Sequence, residues 1–315
     1  MDVGVVRVAA IQAVPAILDL EGCVAKAERL VREAAAEGAH LAVLPECFVP
    51  MYPRSRLTHS NWDPRQTDLF EQIWLNAVEV PGPIVDRFSV LCRELGIHLA
   101  IGVNERESTR SGSLYNTVLL VGPGGLLHKH RKLMPTHHER LFHGIGGGDD
   151  LRIVDTPIGR MGGLICMENL MPLARYALYR QRPQIWLAPT MDDSDTWPAL
   201  IRTIAWESGA WVVSVSGLAR RNDYPPELAS VPADGPDLFS RGGTMVAAPD
   251  GQVAAGPLYD EEGMLFVDCD LRQTIRAKYA FDSVGHYSRE DALLDRLAAP
   301  PPELPHPADA LTVTD

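Results

Sequence analysis

The chain has no apolar run approaching the ~20 residues that a helical membrane span requires. Its amino terminus, Met1-Asp2-Val3-Gly4, has neither a charged leader segment nor a cleavage site. Membrane insertion and secretion are therefore not expected. Positive charge is scarce as well: 29 Lys and Arg against 41 Asp and Glu leave a net charge of −12. The one basic run, His128 to Lys132, is short, so no basic face is available to neutralise phosphates, and no nucleic-acid partner is expected. The five cysteines, Cys23, Cys47, Cys92, Cys166 and Cys269, form no C-x-x-C pair and are odd in number. That supports neither a disulfide framework nor a zinc knuckle, and a reducing cytoplasm is the simplest location. Five histidines fall between His128 and His143, yet they lack the companion carboxylate or Cys spacing of a zinc site, so no metal is expected. The Gly144 to Gly148 loop lacks G-x-G-x-x-G spacing and a following helix, which argues against a nucleotide cofactor.

The chain does have ample apolar content, 46% of 315 residues, enough for a sizeable core. Val3 to Ala13 reads as a buried strand, Leu20 to Ala36 as an amphipathic helix capped by Asp19 and stopped by Gly38, and His40 to Pro45 as the next strand. A helix to about Leu95 after Pro81 and Pro83 precedes a strand from Ile97 to Asn104. Leu114 to Val121 and Leu126 to His130 read as a hairpin around Pro123-Gly124-Gly125. The strand Gly159 to Cys166, a helix to about Arg182, the strand Gln184 to Pro189, the helix Trp197 to Ser208 and the strand Trp211 to Val215 follow. A hairpin from Gly242 to Gly256 and a last strand from Met264 to Asp270 complete the pattern. Early β-α-β alternation with later hairpins indicates an α/β fold with a mixed sheet or two sheets and helices outside. No internal repeat is present, and the proline-rich segment from Pro300 reads as a loose tail.

Three reactive residues stand just beyond strand ends: Glu46, Lys132 and Cys166. Sites in α/β sheets gather at the carboxyl ends of strands, so residues far apart in sequence meet there. A lone buried Cys is ordinarily a core residue. Together, however, the three satisfy a chemical demand: Glu46 takes a thiol proton, Lys132 holds a developing anion and protonates nitrogen, and Cys166 attacks carbon. At a strand-to-helix turn, Cys166 is expected to have a lowered pKa.

Leu44-Pro45-Glu46 with Tyr52-Pro53, His130-Arg131-Lys132-Leu133-Met134-Pro135-Thr136-His137-His138-Glu139-Arg140, and Gly163-Leu164-Ile165-Cys166-Met167-Glu168-Asn169 resemble the three motifs of the carbon–nitrogen hydrolase superfamily in the form used by nitrilases. Met171-Pro172-Leu173-Ala174-Arg175, Leu187-Ala188-Pro189-Thr190, Pro249-Asp250-Gly251 and Val284-Gly285-His286-Tyr287-Ser288-Arg289 are similar to the same branch. The resemblance implies an α-β-β-α sandwich of two mixed sheets with helices on the outer faces. It implies a single domain over residues 1–290, followed by a loosely ordered tail over 291–315. It also implies Glu46, Lys132 and Cys166 as catalytic set, Glu139 orienting water or Lys132, substrate contacts from Tyr52, Met167 and Thr190, no cofactor, and a homo-oligomer. Two departures stand out: Met167 where the family has Trp, and Gly-Gly-Gly-Asp where it tends to have Gly-Asp-Gly. A backbone N–H holds an oxyanion after Met as well as after Trp. The implied substrate is a small nitrile converted to acid and ammonia. An amidase or N-carbamoyl hydrolase, or hydration that stops at the amide, would use the same residues. Thr136, Met191 and Trp197 are further candidates for the pocket wall.

Overall fold

The computed structural model describes residues 4–54, 57, 59–60, 62–108, 110–225, 228 and 237–299. The first sheet is built from β1 (Val5–Gln12), β2 (Leu41–Val43), β3 (Val78–Glu79), β4 (His98–Arg106), β5 (Leu114–Gly122), β6 (Gly125–Arg131) and β14 (Gly263–Asp270). Its order is β14-β1-β2-β4-β5-β6, with β3 paired to β4. The second holds β7 (Val154–Thr156), β8 (Gly159–Gly163), β9 (Ile185–Thr190), β10 (Trp211–Ser216), β11 (Leu218–Arg220), β12 (Leu238–Ala247) and β13 (Val253–Tyr259). Its order is β11-β12-β10-β9-β8-β7, with β13 on β12. Both sheets are mixed: β1, β2 and β4 run parallel, as do β8, β9 and β10, with antiparallel strands outside them.

Period-two patterning sorts each strand into two cores. In β1, Val6, Val8 and Ala10 face the second sheet and meet Ile185, Leu187, Val213 and Val246. Ala9 and Ile11 point the other way, onto α1 (Leu20–Ala36) and α3 (Pro83–Leu95). In β9 the alternation is the same: Ile185 and Leu187 face inward, while Trp186 and Ala188 pack under α4 (Pro172–Tyr179) and α5 (Trp197–Ser208). The result is the expected four-layer α-β-β-α sandwich.

Several boundaries differ from the sequence reading. The strand before Cys166 ends at Gly163, and Cys166–Leu170 is a 3₁₀ turn, so α4 begins six residues beyond Cys166 and stops at Tyr179. A helix not read from the sequence, α2 (Pro64–Leu75), starts at Asp63, whose carboxylate accepts from Arg65 N, and buries Leu69 and Ile73. A second, α6 (Gln273–Ala280), follows the last strand. Residues 291–298, expected to lie in a loose tail, belong to α7 (Glu290–Ala298). Glu290 and Asp291 in its first turn and Arg296 in its last complement the helix dipole. Glu290 ties the helix to α4 through Tyr176 at 2.8 Å and Arg180 at 3.0 Å. The segment from Pro300 lies outside the described residues.

Candidate active site

Glu46 follows β2, Lys132 follows β6 and Cys166 follows β8. Because β5 is antiparallel to both neighbours, β6 runs in the same direction as β2 and β4, and these strand ends share one rim. Two glycines let the loops meet. A Cβ on Gly102 in β4 would come within 2.4 Å of Pro45 O and 2.5 Å of Cys47 N, so only glycine lets the Glu46 loop lie against the strand. Gly146 donates its N–H to Lys132 O at 2.9 Å, and a Cβ there would sit 2.2 Å from Arg131 O. The glycine-rich loop thus buttresses the lysine backbone. Cys47, His137 and Cys166 have φ of 48°, 45° and 51°. A non-glycine residue held there stores on the order of 1–3 kcal/mol, and such strain collects at functional sites.

The polar centre is almost shut from water: Glu46, Lys132 and Glu139 are each no more than 1% exposed. Lys132 Nζ donates to Glu46 Oε1 at 2.8 Å and to both oxygens of Glu139, at 2.7 and 3.0 Å. Asn116 Nδ2 donates to Glu46 Oε1 at 2.7 Å. Glu46 Oε2 is buried with no hydrogen-bond partner among the described residues. Thr190 Oγ1 donates to Cys166 Sγ at 3.2 Å.

These environments separate the two carboxylates. Burial, and repulsion from Glu139, raise the pKa of Glu46 against the pull of Lys132 and Asn116. Burial acts on Glu139 as well, yet its ion pair with Lys132 and the nearby His143 imidazole win, holding it well below the usual carboxylate range. His143 Nδ1 lies 3.9 Å away, beyond hydrogen-bond reach, so Lys132 is the stronger cause. Burial works against the Lys132 charge, but Glu46, Cys166 and Glu139 outweigh it and hold the ammonium well above its ordinary pKa. One carboxylate is thus fixed as an anion beside a fixed cation, and the other is poised to take and return a proton.

The expected low-pKa thiol is corrected. Burial, with the negative charge of Glu46 beside it, pushes Cys166 up to about 12 despite Lys132. The α-helix whose dipole was to favour a thiolate starts only at Pro172. Cys166 therefore rests as a thiol and requires a base. Backbone N–H groups that open a helical turn have no partner within it, so the turn from Cys166 still offers donors to an oxyanion.

A cavity of ≈ 190 Å³ opens onto the sulfur, lined by Tyr52, Arg54, Thr136, His138, Cys166, Met167, Met191 and Asp192. Of the residues expected to contact substrate, Met167 lines it directly. The Tyr52 ring lines it too, but its hydroxyl donates to Glu139 Oε1 at 2.5 Å. Thr190 is fully buried behind the sulfur instead of on the wall. Trp197 is a core residue of α5, donating to Ser214 Oγ at 2.9 Å. The five histidines are dispersed, and among the described residues no group of three or more ligating side chains is placed to hold a metal.

Sequence reasoning missed the supports. Glu168 accepts from the backbone N–H of Leu133 and, at 2.7 Å, from that of Ile165. One carboxylate therefore staples the residue after Lys132 to the residue before Cys166. His130 lies between Glu168 (3.0 Å) and Asp150 (2.9 Å), and Asp150 also accepts from Arg131 N at 2.8 Å. Asn116 and this Glu168–His130–Asp150 chain carry no sequence signal beyond polar residues at strand positions or inside the motifs.

Residues 7–279 match the carbon-nitrogen hydrolase family. The chain is 42% identical over 289 residues to an aliphatic nitrilase of Sinorhizobium fredii (strain HH103), covering 90% of this chain and 93% of that relative. It is 40% identical over 297 residues to the bifunctional nitrilase/nitrile hydratase NIT4B of Nicotiana tabacum, covering 91% and 84% respectively. The crystal structure of a carbon-nitrogen hydrolase from Helicobacter pylori G27 superimposes with a TM-score of 0.73 at 18% identity, covering 94% of this chain and 99% of the other, a likeness of fold. With its sandwich, its rim of loops and these relatives over nearly its whole length, the chain belongs to the carbon-nitrogen hydrolase family.

Proposed function

We propose that this protein is a nitrilase, hydrolysing a small organic nitrile to a carboxylic acid and ammonia through covalent intermediates on Cys166. The observation that carries the mechanism is the free, buried Oε2 of Glu46 in a site whose other carboxylate is saturated by Lys132 and Tyr52. Glu46 takes the thiol proton as Sγ attacks the nitrile carbon, and Lys132 protonates the nitrogen, giving a thioimidate. The proton on Glu46 returns to Lys132. Water, deprotonated by Glu46, adds to the thioimidate, and collapse with protonation of nitrogen releases ammonia and leaves a thioester. A second water, activated in the same way, frees the acid and the thiol. Glu139 acts as a fixed counter-charge that positions Lys132. No cofactor enters this chemistry.

The relatives named nitrilase at 40–42% identity support the nitrile over the amide as substrate. The tobacco relative is named a nitrile hydratase as well, which favours one second reading: partial escape of amide when the tetrahedral adduct expels sulfur before nitrogen. Among the described residues no helix is long and apolar enough to cross a membrane. We further propose a cytoplasmic location and assembly into a homo-oligomer. Exposed Leu173, Tyr287, Leu293 and Leu297 on and beside α4 and α7 support the assembly. A panel of aliphatic, aromatic and arylaceto-nitriles and cyanide, with acid, amide and ammonia all quantified, tests the function. Acid and ammonia in equal amounts are expected, and release of neither from any nitrile would overturn it.

A further inference from the structure

The wall of the cavity beside Cys166 includes one side chain whose place is set by a missing Cβ. Met191 follows β9, and its backbone is held on both sides: Gly217 N donates to Thr190 O at 2.9 Å, and Ser216 Oγ donates to Asp192 O at 3.1 Å. Its half-buried side chain lies against Gly217, which joins β10 to β11. A Cβ on Gly217 would come within 2.1 Å of Met191 Sδ and 2.6 Å of its Cε, and the next atom, 3.8 Å away, is Met191 Cγ. Gly217 does not have a positive φ, so its backbone suits alanine. What alanine would displace there is the thioether. Met191 and Tyr52 also line a second hollow of ≈ 10 Å³ beside Glu46 and Gly217, so they stand between it and the substrate cavity. The Tyr52 hydroxyl is tied to Glu139. Met191 is the movable part of that partition, because an unbranched thioether with three rotatable bonds adapts its shape readily.

We propose that Met191, seated on Gly217, sets how bulky a nitrile can reach Cys166. This limit on bulk rests on the nitrilase reading and adds the substrate's size to it. At roughly 30 Å³ per water-sized group, the cavity of ≈ 190 Å³ suits a short aliphatic nitrile of about six non-hydrogen atoms. Removing Cγ, Sδ and Cε of Met191 joins the cavity to the hollow behind it and admits an aryl arm. A methyl group on Gly217 does the reverse. Interiors are close-packed, so a displaced side chain moves into the space that exists, which here is the substrate cavity.

Butanenitrile and 3-phenylpropanenitrile differ only in the phenyl ring that replaces the terminal methyl, and butanamide and 3-phenylpropanamide repeat the pair as amides. The nitrile-to-amide ratio reports on the reaction; the large-to-small ratio within either series reports on Met191. In the native protein butanenitrile should exceed 3-phenylpropanenitrile at least tenfold in kcat/KM. Met191→Ala should raise the large-to-small ratio at least tenfold, and Gly217→Ala should lower it at least threefold. Because Gly217→Ala acts through the thioether, it should change the ratio less than twofold in the Met191→Ala background. Alkylation of Cys166 by N-benzyliodoacetamide relative to iodoacetamide, followed by peptide mapping, reads the same wall without turnover and should show the same shifts. Absence of turnover with every nitrile would remove the nitrilase reading and leave that labelling ratio to decide this one. A native preference for the larger partner, a ratio that Met191→Ala leaves within twofold, or a Gly217→Ala effect that persists without Met191 would overturn the proposal.

Discussion

Lys132 and Glu139 face each other so that the ammonium lies 2.7 and 3.0 Å from the two carboxylate oxygens, whereas the same ammonium reaches only one oxygen of Glu46. This asymmetry supports the proposed roles. Glu139 accepts from Lys132 and Tyr52 on one oxygen and from Lys132 and Asn116 on the other, so its acceptor positions are taken, whereas Glu46 keeps a bare oxygen. The two glutamates are therefore not interchangeable.

Replacing Glu46 by Gln is expected to lower kcat by ~10²–10⁴-fold, the range that general base catalysis supplies. Glu139→Gln should also impair turnover, but its loss should appear with a lowered basic pKa in the pH–rate profile, because Lys132 loses its anchoring charge. Combining Lys132→Ala with Glu46→Gln should cost little more than either alone, since groups of one machine are not additive. Steady-state kinetics on the four proteins decide it; near-normal activity in Lys132→Ala would remove the mechanism.

Alkylation is expected to label Cys166 before the other four thiols, because of access and not acidity. Cys166 is 4% exposed on a cavity wall, and Cys23, Cys47, Cys92 and Cys269 are fully buried. With the thiol pushed up to about 12, the rate of its labelling in the resting enzyme should keep rising with pH beyond 9. Peptide mapping after limited iodoacetamide treatment measures both. A plateau near pH 7 would mean that a thiolate is already present at rest.

His130, buried between Asp150 and Glu168, has a pKa raised to about 9: burial works against its charge, and the two carboxylates prevail. A raised histidine contributes stability fully below its unfolded value near 6.5, and the contribution fades as pH climbs through about 9. The shift corresponds to roughly 3 kcal/mol. Thermal melts between pH 6 and 10 should show Tm falling across that window in the native protein, and His130→Gln should flatten the fall. An unchanged pH dependence in the variant would show that His130 is not the titrating group.

Light scattering at micromolar concentration is expected to give a mass above the 34.5 kDa of one chain. Leu173→Glu on α4 should shift it toward the monomer. A monomeric mass for the native protein would contradict the assembly.

The sequence made the sandwich and the principal residues legible for different reasons. Strict alternation in Val6-Val8-Ala10 against Ala9-Ile11 marks a strand covered on both faces, and Asp19 fixed the start of α1 at Leu20. Glu46, Lys132 and Cys166 stood out because each is reactive and follows a strand. The helix α2 was not read although Asp63-Pro64 is a helix-start pair. The acidity of Cys166 was misjudged because a strand-to-helix turn predicts a dipole, while the protein inserts a 3₁₀ turn and buries the sulfur beside Glu46. Asn116, Glu168 and Asp150 reach partners 19 to 70 residues away, although Glu168 also holds Ile165 three residues before it, and no local pattern encodes the long-range pairings. Thr190 fell in a family motif, and the structure places its hydroxyl against the Cys166 sulfur.

The central claim is that a nitrile, not an amide, is the substrate that Cys166 attacks. A linear nitrile presents only its nitrogen to Lys132, whereas an amide adds an NH₂ that needs room and an acceptor in a site whose carboxylates are largely engaged. The direct test is kcat/KM for matched nitrile and amide pairs, with acid, amide and ammonia all quantified. The best nitrile is expected to exceed its amide at least roughly a hundredfold, about 2.7 kcal/mol in the transition state, with acid and ammonia in equal amounts and amide a minor product. Faster hydrolysis of the amide, or amide as the main product from the nitrile, would contradict the account.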